Sequence, residues 1–169
     1  MKTFILVTII LLTGLLSFGQ NNAATDAIAG KAFLMGEISV EGQQDLDFQE
    51  IGFAFPTTVT TMQTDKRGVF FIETGVGNPH VNLTFTLPEE LEHSGDGPGL
   101  EIGDWTYRIH TANVAIEGIP LPDAPIPLNM AAGGTPRERY VFLGATVFPT
   151  EENWVGQYES EITLTVEYN

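Results

Sequence analysis

The sequence has no cysteine in 169 residues. That excludes a disulfide framework, thiolate ligation of zinc or iron–sulfur clusters, a cysteine nucleophile and cysteine-linked lipid anchoring. Positive charge is also scarce: 7 Lys+Arg stand against 22 Asp+Glu, a formal net charge of −15. Nucleic acid and anionic membrane surfaces are therefore poor partners, because binding to either depends on Lys and Arg. Helical periodicity is nearly absent, with only Pro88-Glu89-Glu90-Leu91-Glu92-His93 suited to a single turn. What the chain does have is 43% hydrophobic residues, with 11 Phe, 4 Tyr and 2 Trp. A disordered acidic tail is poor in both, so the chain folds. Its length suits one domain with a real core.

One long apolar run occurs, at the N-terminus. Met1-Lys2 leads into residues 4–12, then Gly14-Leu15-Leu16 and Ser17-Phe18-Gly19. One basic residue, an apolar stretch and small residues before a break are the pattern of a secretory signal. The run is roughly 15 residues, whereas a membrane span needs about 20. Residues 1–19 are therefore expected to be a cleaved signal peptide, with a cut near Ala23-Ala24 as the alternative. Residues 20–30 read as a flexible N-terminal segment and 31–169 as a single β-sandwich domain. The expected location is exported (periplasm, cell surface or extracellular), with no transmembrane segment in the mature chain.

Period-two alternation dominates the rest. Val81, Leu83, Phe85 and Leu87 alternate with Asn82, Thr84 and Thr86, between Gly77-Asn78-Pro79 and Pro88. Ile162, Leu164, Val166 and Tyr168 alternate with Glu161, Thr163, Thr165 and Glu167. Trp105, Tyr107 and Ile109 alternate with Thr106, Arg108 and His110. Each pattern puts one face into a core and the other into water. Val69-Phe70-Phe71-Ile72 and Tyr140-Val141-Phe142-Leu143 are apolar on both faces and read as central strands. Asp65-Lys66-Arg67-Gly68 suits a hairpin turn between its flanking strands. About eight strands are expected, over 31–40, 46–54, 57–63, 68–74, 80–87, 105–116, 139–148 and 157–168. Many short strands with Gly- and Pro-marked turns imply an all-β sandwich or barrel. The connection 119–136 carries Pro120, Pro122, Pro125, Pro127 and Pro136 and is excluded from a central strand.

Candidate chemistry is thin. The stretch 89–104 holds Glu89, Glu90, Glu92, Asp96, Glu101 and Asp104 beside His93. Calcium needs six to eight converging oxygens, but these acids are irregularly separated and the regular calcium-loop spacing is absent. A solvated acidic loop is the plainer expectation. His80, His93 and His110 are scattered and read as surface residues. Ser39, Ser94 and Ser160 lack the strand–turn–helix context of a nucleophile. Trp105 reads as core, and Trp154 as either a core lid or a stacking platform. No catalytic, cofactor or metal residues are assigned, and no enzyme activity is expected.

Two stretches carry a resemblance. Arg67-Gly68-Val69-Phe70-Phe71-Ile72 is followed by Gly75, Gly77-Asn78 and residues 81–88. Leu143-Gly144-Ala145-Thr146-Val147 is followed by Gly156-Gln157-Tyr158 and residues 162–168. Together they resemble the secreted bacterial domain of unknown function 4402, which is similar to spore-coat-protein-U-like and chaperone–usher pilin-like sandwiches. The resemblance implies an immunoglobulin-like antiparallel β-sandwich with a fimbria-like structural or adhesive role at the cell surface. It also implies assembly by strand donation, with other copies of the chain or a periplasmic chaperone as partners. Ile162, Leu164, Val166 and Tyr168 match the assembly strand. Ile28, Ala32, Leu34, Ile38 and Val40 form the stripe of a donor strand, against the plainer expectation that 31–40 pairs within its own domain. The alternative function is a secreted carbohydrate- or calcium-binding module using the 89–104 loop and Trp154.

Overall fold

Strands form where the alternation is cleanest and where β-branched and aromatic residues cluster. The computed structural model describes residues 37–75, 80–131 and 137–169. The expected signal peptide, the segment 20–30, the Gly77-Asn78-Pro79 turn and the donor-stripe residues Ile28, Ala32 and Leu34 lie outside these. Contacts group residues 35–169 into one unit. The strands are β1 (Ile38–Gln44), β2 (Thr57–Val59), β3 (Gly68–Thr74), β4 (His80–Thr86), β5 (Glu90–His93) and β6 (Leu100–His110). They continue with β7 (Ile119–Pro120), β8 (Ile126–Asn129), β9 (Glu138–Val147), β10 (Tyr158–Glu159) and β11 (Thr163–Tyr168). Every pairing is antiparallel. No helix occurs among the described residues. The all-β expectation holds.

A long sheet runs β1-β3-β9-β6-β5-β10, with β2 joined to β9 and β7 to β6. A short sheet runs β11-β4-β8. The two meet in a core of Ile72 and Val141 from the long sheet and Val81, Leu83, Ile126 and Leu164 from the short one, with Met130. Antiparallel sheets sharing such a core have the arrangement of a β-sandwich. β9 is the centre of the long sheet, and Val141 to Val147 are all buried. That is why its sequence is apolar on both faces rather than alternating.

The two faces of β9 are covered differently. On the inner face Val141 packs under the short sheet, while Ala145 and Val147 join a second cluster with Leu100 and Ile102. The short sheet does not supply that cluster; Leu46, Phe48 and Ile51 from the connection after β1 pack against it instead. On the outer face the Arg67 guanidinium lies 3.7 Å from the Phe142 ring centroid. Arg67 is fully buried. Its Nη1 donates to the carbonyls of Thr61 and Val114, each at 2.7 Å, and Nη2 to Asn113 Oδ1 at 2.5 Å. Burial lowers its pKa from the usual arginine value. The side chain ties the 60–67 loop and the segment after β6 onto the sheet.

Several expectations need correction. Eleven strands are present among the described residues, where about eight were expected. Residues 46–54 form no strand: Asp47 Oδ1 accepts the Gln49 N–H at 2.8 Å, and Gln49 (φ 57) and Ala54 (φ 63) are left-handed, so the extended run breaks. Residues 65–68 do not close a hairpin. β2 and β3 instead lie in line along the same edge of β9, Val59 opposite Ala145 and Gly68 opposite Leu143. The 60–67 loop leaves the sheet opposite Gly144. A Cβ at Gly144 would stand 2.5 Å from the Val59 carbonyl and 2.8 Å from Thr106 Oγ1, so only glycine fits. β6 begins earlier than expected, through a bulge between Gly103 and Thr106 where Asp104 has φ 48. It ends at His110, whose Nδ1 accepts the Ala112 N–H at 3.0 Å. The expected 157–168 strand is two pieces serving different sheets, β10 on β5 and β11 on β4. Pro127 lies in β8, which among the described residues pairs only with β4, an edge position in keeping with the exclusion of 119–136 from a central strand.

Candidate functional site

The alternation of the last strand places the expected assembly residues directly. β11 pairs with β4 from Thr163 opposite Thr86 to Tyr168 opposite Val81, and it is the first strand of the short sheet. Leu164 is buried and Ile162, Val166 and Tyr168 are half-buried, whereas Thr163, Thr165 and Glu167 are exposed. The Asn169 N–H donates to the His80 carbonyl at 2.9 Å. Since amides alternate along a strand, those of Thr163, Thr165 and Glu167 also point to β4, and those of Leu164 and Val166 point away from it, to a side on which no other described strand is paired. Of the donor stripe, Ile38 and Val40 lie in β1, opposite Thr74 and Ile72 of β3. Within the described residues, that part of the stripe pairs with its own domain.

Beside β11 the connection after β1 covers the inner face of the long sheet, leaving Leu100, Ile102, Leu143 and Val147 buried. A groove of about 1100 Å³ lies between the 45–53 connection and residues 153–162. Its rim carries large exposed apolar side chains: Phe53 is 49% exposed, Trp154 56% and Val155 84%. Asp45, Asp47, Glu50, Glu159 and Glu161 also line it, and among the described residues no Lys, Arg or His does. All five acids are exposed.

One wall of the groove is held by a histidine. His93 Nδ1 accepts the N–H groups of Gly95 (3.0 Å) and Gly97 (3.3 Å). Its proton therefore sits on Nε2, 3.4 Å from the Val155 carbonyl. The imidazole meets Trp154 edge-on at 5.9 Å and Tyr158 at 4.9 Å. Tyr158 Oη donates to the Trp154 carbonyl at 2.7 Å. A Cβ on Gly156 would collide with the imidazole, so the loop passes it at closest approach. His93 is half-buried at the surface, where it braces the Trp154 loop. Nothing in a linear sequence joins residue 93 to 154–158; the β5–β10 pairing does.

Other candidates disperse. Glu90 and Glu92 lie on β5, Asp96 in the turn, and Glu101 and Asp104 on β6. Among the described residues no three His, Asp or Glu side chains gather as a metal site. Ser160 Oγ donates to the Glu90 carbonyl at 2.9 Å and accepts the Glu92 N–H, a structural link. Trp105 is half-buried against the second core cluster, close to its expected core role. No helix among the described residues is long and apolar enough to cross a membrane. The chain matches no protein-family model, and no curated protein matches it in sequence.

Proposed function

We propose that the chain is an exported, non-enzymatic surface protein with a fimbria-like structural or adhesive role, built as an immunoglobulin-like β-sandwich that assembles by strand addition. The observation that supports this reading is β11: among the described residues it stands at the end of the short sheet, with an apolar inner face and alternate amides directed away from its partner β4. Such an edge offers a ladder of main-chain donors and acceptors to another extended segment. The resemblance of residues 162–168 to the assembly strand of pilin-like sandwiches supports the same reading. Other copies of the chain, or a periplasmic chaperone, are the partners it calls for.

The donor in this reading is the segment ahead of β1. Size-exclusion chromatography of a chain beginning at Gln20, beside one beginning at Glu37, tests it. Multimers from the longer chain and monomers from the shorter are expected. A folded monomer from both contradicts the donor assignment.

A further inference from the structure

His93 stands at the β10 end of the long sheet, in surroundings that suit only a neutral ring. We propose that it is a proton-sensitive latch, which opens when the imidazole takes a second proton in mild acid and releases the 94–97 turn and the 149–157 loop carrying Trp154. The inference does not depend on strand addition at β11.

Contacts from three stretches of chain make the latch. Nδ1 accepts the N–H groups of Gly95 and Gly97 at 3.0 and 3.3 Å, and Nε2 faces the Val155 carbonyl at 3.4 Å. Trp154 and Tyr158 meet the ring edge-on from the loop and from β10. The backbone passes so close that a Cβ on Gly97 would lie 2.9 Å from Nδ1. A second proton has one place to go, and that is Nδ1. There it meets two N–H groups directed at the same nitrogen, so donor faces donor and both amides lose their acceptor. Relief needs the turn or the ring to move, and either movement parts the ring from Val155 and Trp154. The latch is therefore closed at neutral and alkaline pH and lost as pH falls.

Little else holds this corner. β5 and β10 pair only through His93 opposite Tyr158 and Glu92 opposite Glu159. The Ser94 N–H on the Gln157 carbonyl and the Ser160 hydroxyl on the Glu90 carbonyl complete the attachment. Trp154 and Val155 are largely exposed already, so opening gives up little apolar burial.

The charges around the ring favour opening over tightening. Glu90 and Glu92 on β5, Glu101 on β6 and Glu159 on β10 alternate onto the face of the sheet opposite His93 and Tyr158. The Tyr158 hydroxyl is committed to the Trp154 carbonyl. Asp96 in the turn and Glu151 and Glu152 in the loop are exposed. Among the described residues, none of these carboxylates bonds to the closed ring. A charged ring that swings out meets Asp96 and the two loop glutamates, which stabilises the open state.

NMR of the chain, titrated from about pH 8 to pH 5 across the range of an ordinary histidine, tests this. The Gly95 and Gly97 amides, the Trp154 indole and the His93 ring are expected to shift together along one curve. The amides of β4 and β9 should hold still over the same interval. Loss of one indole signal in Trp154→Phe assigns the reporter. His93→Gln offers an amide oxygen in place of Nδ1 and takes no proton, so in it the shifts should be lost. Gly95 and Gly97 amides that stay fixed while the His93 ring titrates overturn the proposal, and that criterion needs no variant. So does a His93 ring that takes no proton down to about pH 5. Trp154 shifts that persist in a folded His93→Gln also overturn it, by assigning them to the carboxylates.

Discussion

Arg67 is the residue that carries most per side chain. A buried guanidinium is costly to desolvate, and here it has carbonyl and amide oxygens around it and an aromatic ring beneath. Nε makes no hydrogen bond, so the arrangement is not fully satisfied. It nevertheless joins three stretches that have no strand pairing with one another: the 60–67 loop, residues 113–114 and the outer face of β9. Arg67→Met keeps the aliphatic stem but leaves the oxygens of Thr61, Asn113 and Val114 without their donor. The expected cost is about 3 kcal/mol, read as a lower urea midpoint with an unchanged slope. Arg67→Lys should recover part of the loss, since an ammonium keeps the charge but not the fork of donors. A midpoint unmoved by Arg67→Met would show that these bonds are replaced by water.

At the scale of elements, β11 makes the most specific forecast. If its outer edge has no strand beside it, the amides of Leu164 and Val166 exchange quickly with solvent, while those of Thr165 and Glu167, directed at β4, are protected. Hydrogen exchange read by NMR gives this alternation residue by residue. Uniform protection along 163–168 would mean that the edge is already covered. The same strand shows why parts of the fold were legible in the sequence. Where one face is buried and the other wet, as in β4 and β11, alternation states both strand and facing. Where both faces are covered, as in β9, the unbroken apolar run states centrality. The failures share a cause as well. Leu46 and Phe48 alternate because they pack on the second core cluster, yet burial on one face does not supply a ladder partner, and left-handed Gln49 ends the run. Leu100 to Asp104 read as a Gly-rich acidic loop because a bulge, not a turn, uses Gly103 and Asp104. The groove itself was illegible. It is a property of how far the short sheet reaches, which no local pattern encodes.

At the scale of the whole molecule, the net charge of −15 acts on stability and on assembly together. The acids spread over exposed strand faces and loops, so repulsion is general rather than local, and salt relieves it. Melting temperature should therefore rise as NaCl goes from about 10 mM to 1 M; a flat response would mean that the charges are too far apart to matter. Self-assembly through main-chain bonds at β11 should likewise need salt.

Sedimentation velocity on the chain beginning at Gln20, at about 0.5 M NaCl where charge repulsion is screened, is the most direct test of assembly at β11. It should be run beside Val166→Pro, which deletes one outward amide and leaves those directed at β4 in place. The account predicts concentration-dependent multimers for the unaltered chain and a folded monomer for Val166→Pro. A monomer for the unaltered chain at every concentration, or multimers that persist in a folded Val166→Pro, would contradict it.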